Sequence, residues 1–147
     1  TKNELEFKSI FNECNDLFRT MQQTNIPIIA SLNGIVTASG IELASFCDIV
    51  LSTKNTKFSI PGTLIGLAAF IPTINLIQNL NHIHLPSNGY KKLGLDMLFT
   101  ANVMSSDIAY KHGFINKICD NYNDMMLYSH EYANKIASKN KKCVGNG

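Results

Sequence analysis

The sequence lacks any apolar run near the ~20 residues of a membrane-spanning helix, and no secretory signal pattern opens it. It also lacks a strong excess of charge: 13 Lys plus Arg stand against 11 Asp plus Glu, for a formal net charge of +2. The basic residues are scattered rather than clustered, which is typical of solvated surface lysines. We therefore expect no membrane span and no nucleic-acid partner.

Spacings that bind metals are missing as well. The four cysteines, Cys14, Cys47, Cys119 and Cys143, form no Cys-x-x-Cys pair, and the four histidines show no ligand pattern. We therefore expect no metal site and no disulfide framework, and reduced thiols in an intracellular protein are the default. Cys14 and Cys47 fall on apolar helix faces, where we expect them to pack.

Enough apolar content is present, 45% of 147 residues, to bury one sizeable core. Strands alternate with helices, which predicts an α/β fold with parallel pairing in one domain, residues 1–147. The predicted strands are Ile28–Leu32, Asp48–Ser52, Lys57–Ile60 and Phe114–Ile118. The predicted helices are Asn3–Gln23, packed on the core through an apolar stripe, then Gly40–Cys47, Pro72–Leu80, Gly89–Leu95, Ser106–Gly113 and Asn123–Lys139. Leu98-Phe-Thr is predicted to be extended, and Asn81–Asn88 a surface loop.

The stretch from Asn33 to Asp48 is the centre of the sequence. It follows a buried strand, breaks at Asn33-Gly34, and starts a helix near Ser39. Glu42 lies in the first turn of that helix and has two interpretations. It could complete a Ser39-x-x-Glu42 capping box, or it could be a general acid or base beside free backbone N–H groups. Spacing alone favours the cap and does not decide between them.

Several separate motifs resemble those of the enoyl-CoA hydratase/isomerase (crotonase) family. They are Ile28-Ile-Ala-Ser-Leu-Asn-Gly, Gly40-Ile-Glu-Leu-Ala, Phe46-Cys-Asp-Ile-Val, Phe58-Ser-Ile-Pro61, Ser105-Ser-Asp-Ile-Ala and His112-Gly-Phe-Ile-Asn-Lys. The resemblance implies a spiral of β-β-α units with C-terminal helices, assembled as a homotrimer or hexamer. It covers about Phe11 to Lys139. The first ~90 residues of the family domain and its last helices have no counterpart, so we expect a truncated domain.

The resemblance also implies a site for an acyl-CoA thioester, with coenzyme A present only as part of the substrate. The N–H of Ser39 matches one oxyanion-hole donor, and Glu42 matches the first of two glutamates that activate water. The second glutamate would follow Pro61, where this sequence has Gly62. The family prefers glycine throughout the run that here reads Ala38-Ser39-Gly40. The substrate-binding positions that the resemblance implies are Ala38, Gly40, Pro61, Gly62, Ile65 and Phe70, and Phe70 would fill acyl space.

With its Thr37-Ala-Ser-Gly40 run and Gly62 after Pro61, the sequence resembles one mitochondrial branch of that family more closely than it resembles true crotonase. This branch is the enoyl-CoA hydratase domain-containing proteins of the third type. The resemblance to this branch implies a mitochondrial location. Two functions stay open. The protein could be a hydratase or isomerase of fatty acid metabolism with Glu42 as its sole general acid/base. Alternatively, it could be a non-catalytic acyl-CoA-binding or assembly protein of the same fold. Because Gly62 has no carboxylate, we expect weak or absent activity in this chain.

Overall fold

A computed structural model describes residues 2–67, 70–80, 89–140 and 144–145 of the chain. The helices are α1 Lys2–Gln23, α2 Ser39–Ser45, α3 Phe70–Asn79, α4 Gly89–Thr100, α5 Ser106–Lys111 and α6 Tyr122–Ala137. The strands are β1 Ile29–Leu32, β2 Ile35–Thr37, β3 Ile49–Thr53, β4 Lys57–Ser59, β5 Met104–Ser105 and β6 Lys117–Cys119. A 3-10 helix spans Pro61–Ile65. The predicted α/β class is confirmed.

Two three-stranded sheets organise the fold, in the orders β1-β3-β6 and β2-β4-β5. β1 pairs with β3 and β3 with β6 in parallel, and Ile29 lies opposite Ile49. β2 pairs with β4 in parallel, and β5 joins β4 antiparallel. The chain passes from the first sheet to the second through Gly34, whose φ of 89° suits a residue without a Cβ. Each β-β-α step therefore contributes one strand to each sheet.

The core lies between the sheets and helices α2 to α5. Ile41 from α2, Phe58 from β4, Leu76 from α3 and Leu98 from α4 are all fully buried there. The ring of Phe58 meets that of Phe114 edge to face at 5.5 Å. A smaller cluster of Leu51, Cys119 and Met125 packs α6 against the first sheet.

Helices α3 and α4 pack unusually closely. A Cβ added at Gly94 of α4 would overlap Cγ1 of Ile77 and lie 2.7 Å from its Cδ1. The buried Ser106 hydroxyl lies 2.8 Å from the carbonyl oxygens of both Thr53 and Thr56, which ties α5 to the turn after β3. These contacts leave little freedom between the elements that carry the core.

The prediction that α1 packs on the core is wrong for most of its length. Among the side chains described in this helix, only Phe18 and Met21 are half-buried, and the others are exposed. Phe18 stacks on Phe46 at 4.8 Å between ring centroids. Cys14 is exposed, against expectation, whereas Cys47 is half-buried against the core as predicted. An amphipathic stripe shows which face of a helix is apolar, but not whether this chain covers that face.

Other boundaries differ from the sequence prediction. Leu98-Phe-Thr is not extended, because it continues α4 by a further turn. The two short strands β2 and β5 were not predicted, and Phe114–Ile118 is a strand only from Lys117. The expected loop 81–88 and Cys143 lie outside the described residues. No helix in the described ranges is long and apolar enough to cross a membrane.

Candidate active site

The first turn of α2 is held by the backbone of Ala38. Its N–H donates to the Ser59 carbonyl at 3.2 Å, and its own carbonyl accepts from the N–H groups of Ile41 at 2.9 Å and Glu42 at 3.2 Å. Ala38 adopts φ 42° and ψ −113°, in a region that strains any residue carrying a Cβ. The chain thus uses a strained residue to turn from β2 into the helix.

The capping-box interpretation of Glu42 is wrong. The N-cap of α2 is Ala38, with no side-chain cap hydrogen bond, and Ser39 is already helical. The Oε1 atom of Glu42 instead accepts a hydrogen bond from Nδ2 of Asn75 on α3, at 3.4 Å. The carboxylate is therefore directed toward the space between α2 and α3 rather than back onto the helix end.

That space is a cavity of about 780 Å³. Its lining comes from α1, the start of α2, the 3-10 helix and the start of α3. It brings together all but one of the residues that the resemblance predicted for a thioester site: Ala38, Ser39, Glu42, Pro61, Gly62, Ile65 and Phe70. The exception is Gly40, whose missing Cβ would lie 3.4 Å from Cγ1 of Val36, beside β2.

Helix α1 adds a wall that sequence reasoning missed. Phe11, Cys14, Asn15 and Phe18 line the cavity from this helix. They lie on neighbouring turns at spacings of three and four, and the apolar ones belong to the stripe that had been assigned to the core. The sequence shows the apolar stripe of α1, but it does not show that the stripe faces this cavity rather than the core.

Glu42 supplies the carboxyl group of the cavity lining. Burial raises the pKa of this carboxyl above its ordinary value, because desolvation penalises the charged form. Among the described residues lining the cavity, Glu42 is the only acid and none is Lys, Arg or His. Gly62 lines the same cavity without a side chain. No group of three His, Cys, Asp or Glu that could hold a metal occurs in the part of the chain described.

Comparisons with known proteins assign the chain to one family. A family model described as Enoyl-CoA hydratase/isomerase matches residues 2–145. The chain therefore belongs to the enoyl-CoA hydratase/isomerase family. The crystal structure of human enoyl coenzyme A hydratase domain-containing protein 3 superposes with a TM-score of 0.83 at 27% identity. That match covers 95% of this chain and 51% of the human one, and it confirms the crotonase-like fold.

Sequence relatives agree with the structural match. A mitochondrial enoyl-CoA hydratase domain-containing protein 3 of Rattus norvegicus is 29% identical over 138 residues. A short-chain-enoyl-CoA hydratase of Clostridium acetobutylicum is 32% identical over 124 residues. The matches cover 94% and 84% of this chain, but only 43% and 44% of those proteins. The chain thus spans less than half the length of these curated relatives.

Proposed function

We propose that this chain binds an acyl-CoA thioester in the 780 Å³ cavity and acts on it as an enoyl-CoA hydratase/isomerase-like protein. The observation that carries the proposal is the state of Glu42. Its carboxylate is free of the helix cap, partly desolvated, and part of the same cavity lining as Ser39. An acid with a raised pKa beside first-turn N–H groups suits the formation of an enolate-like state.

In a hydration, the Glu42 carboxylate takes a proton from water while the water oxygen bonds to the β-carbon of the enoyl thioester. The electron pair of the double bond moves toward the thioester carbonyl, whose oxygen accepts a hydrogen bond from the Ser39 N–H. The Glu42 carboxyl then returns its proton to the α-carbon, so one water is added in total. A lone carboxylate would do this slowly, since losing one member of an acid/base pair costs about 10²–10⁴ in rate.

The second candidate is a non-catalytic acyl-CoA-binding or assembly protein, and Gly62 favours it. Gly62 occupies the position that the family resemblance assigns to the second glutamate, and it lines the cavity without a carboxylate. Assembly as a homotrimer or hexamer stays a prediction. A mitochondrial location, which the names of the relatives suggest, also stays a prediction.

The variant Glu42→Gln tests the proposal, because it keeps the shape of the side chain and removes the base. We expect crotonyl-CoA hydration to fall by about 10²-fold or more, with thioester binding retained. Turnover by the unmodified chain should also fall as the pH drops through the raised pKa of Glu42, since the base must be ionised. Unchanged turnover in Glu42→Gln would remove Glu42 from the reaction and leave the binding protein as the better description.

Gly62→Glu tests the remaining geometry by restoring a carboxylate. Position 62 lies in the 3-10 helix, a conformation that residues with side chains adopt readily. We expect a measurable gain in crotonyl-CoA hydration, with Gly62→Gln as the matched control that adds bulk without a base. If Glu and Gln behave alike, then the cavity does not hold the thioester between positions 42 and 62.

A further inference from the structure

Most of the described residues that line the cavity are apolar. Leu64 and Leu67, from the 3-10 helix and the segment after it, and Phe70 from α3 line it and are exposed. Phe11 of α1 also lines it and is exposed. Each of these side chains leaves apolar surface in water, and covering that surface with an apolar ligand is favourable by roughly 25 cal/mol per Å².

The volume points in the same direction. On a scale of about 30 Å³ for each water-sized group, a butyryl chain occupies roughly 120 Å³. The cavity measures about 780 Å³. A short acyl group would therefore leave most of the apolar wall in contact with water, whereas a chain of eight to twelve carbons, on the order of 240–360 Å³ on the same scale, would cover much more of it.

The lining chemistry also separates the two ends of such a ligand. Ser39, Glu42 and Asn15 supply the hydroxyl, carboxyl and amide groups in the cavity lining, and no cation among the described lining residues is available to bind phosphate. The cavity thus fits the acyl chain and its carbonyl, rather than the phosphate-bearing part of coenzyme A.

We propose that this cavity selects thioesters with long acyl chains, octanoyl or longer, and that Phe11 and Phe70 provide its chain-binding walls. The inference rests on the proposed function, because it assigns the acyl group of the same thioester. It adds a specificity role for helix α1, which places an aromatic ring in the cavity lining.

Binding of butyryl-, octanoyl- and dodecanoyl-CoA to the full chain tests the proposal, measured by titration calorimetry below the concentrations at which the long thioesters form micelles. Each buried methylene tightens binding by about fourfold. Because the walls are partly open to solvent, we expect octanoyl-CoA to bind at least about tenfold tighter than butyryl-CoA, and free CoA to bind most weakly.

Two matched pairs of variants locate the effect. Phe70 is 53% exposed and lines the cavity, whereas Ile74, on the same helix and 51% exposed, does not. Phe11 is 67% exposed and lines the cavity, whereas Leu17 of the same helix is 50% exposed and does not. Phe70→Ala and Phe11→Ala should each reduce the preference for the long chain by about threefold or more. Ile74→Ala and Leu17→Ala should leave it unchanged.

The outcomes separate this inference from the proposed function. Failure of every acyl-CoA to bind would overturn the proposed function itself. Equal binding of butyryl- and dodecanoyl-CoA would overturn the long-chain preference and leave the thioester site standing. The lining variants could leave the long-chain preference unchanged, or both members of a pair could alter it equally. Either result would place the acyl chain outside this cavity and overturn the assignment.

Discussion

Helix α1 and the α3–α4 pair differ in what their apolar faces contact. α1 has 22 residues, and it contacts the rest of the described structure mainly through Phe18, which stacks on Phe46. α4 lies so close to α3 that Gly94 has no room for a side chain beside Ile77. The comparison teaches that an apolar helix face in the sequence does not determine which surface that face contacts. The α3–α4 contact builds the core, whereas α1 builds a wall of the cavity.

Among substitutions that add a side chain, the largest effect is expected at Gly94. Gly94→Ala forces a methyl group into Ile77, and overpacking of this kind costs about 1–3 kcal/mol. The higher helix propensity of alanine offsets up to about 1 kcal/mol of that. We expect a net loss of about 1–2 kcal/mol in the free energy of unfolding, measured by urea denaturation.

Gly40→Ala is the matched control for that variant. Its new Cβ would lie 3.4 Å from Cγ1 of Val36, which needs only a small adjustment. We expect a change in unfolding free energy of less than about 0.5 kcal/mol. Combining Gly94→Ala with Ile77→Ala should also show strong non-additivity, because the second change removes the atoms that clash. If the losses from Gly94→Ala and Ile77→Ala simply add, then the new methyl group moves the two helices apart instead of clashing with Ile77.

A smaller effect of opposite sign is expected at the start of α2. Ala38→Gly relieves the strain of the positive φ of 42°, which costs about 1–3 kcal/mol. Glycine also increases the conformational entropy of the unfolded chain, which lowers the free energy of unfolding by up to about 1 kcal/mol. We therefore expect a gain of about 1 kcal/mol and a higher Tm. A lower Tm would show that the alanine methyl group contributes packing that outweighs its backbone strain.

The smallest effect is expected on α1. Leu17→Ala removes an exposed side chain that lies outside the cavity lining, so the free energy of unfolding should change by less than about 0.5 kcal/mol. The same change at fully buried Leu76 should cost about 2–5 kcal/mol. If Leu17→Ala approached the Leu76→Ala value, the contrast between the two regions would not hold.

The sequence predicted β1, α2 and β3 to within about two residues, because a continuous apolar run and the Asn33-Gly34 turn are strong local signals. It missed β2, since three residues between a turn and a helix carry too little periodicity to read as a strand. It also ended α4 before Leu98, whereas packing of Met97 and Leu98 in the core extends the helix.

Within the site, the family resemblance found seven residues that line one cavity, which no local pattern could bring together. Spacing alone favoured the wrong role for Glu42. The capping box failed because the chain enters α2 through Ala38 in a strained conformation, and this depends on the pairing of the Ala38 N–H with Ser59 in the neighbouring strand. Contacts distant in sequence decided this point.

The strand orders have a consequence for handling the protein. β1 and β2 each lie at the end of their sheet, so within the described residues one side of each strand has its backbone N–H and C=O groups unpaired with another strand. Neither strand carries a lysine or a proline, the residues that commonly block edge-to-edge pairing, and Ile35 of β2 is exposed. A net charge of +2 provides little repulsion between copies. The chain's solubility therefore depends on how well these two edges are covered.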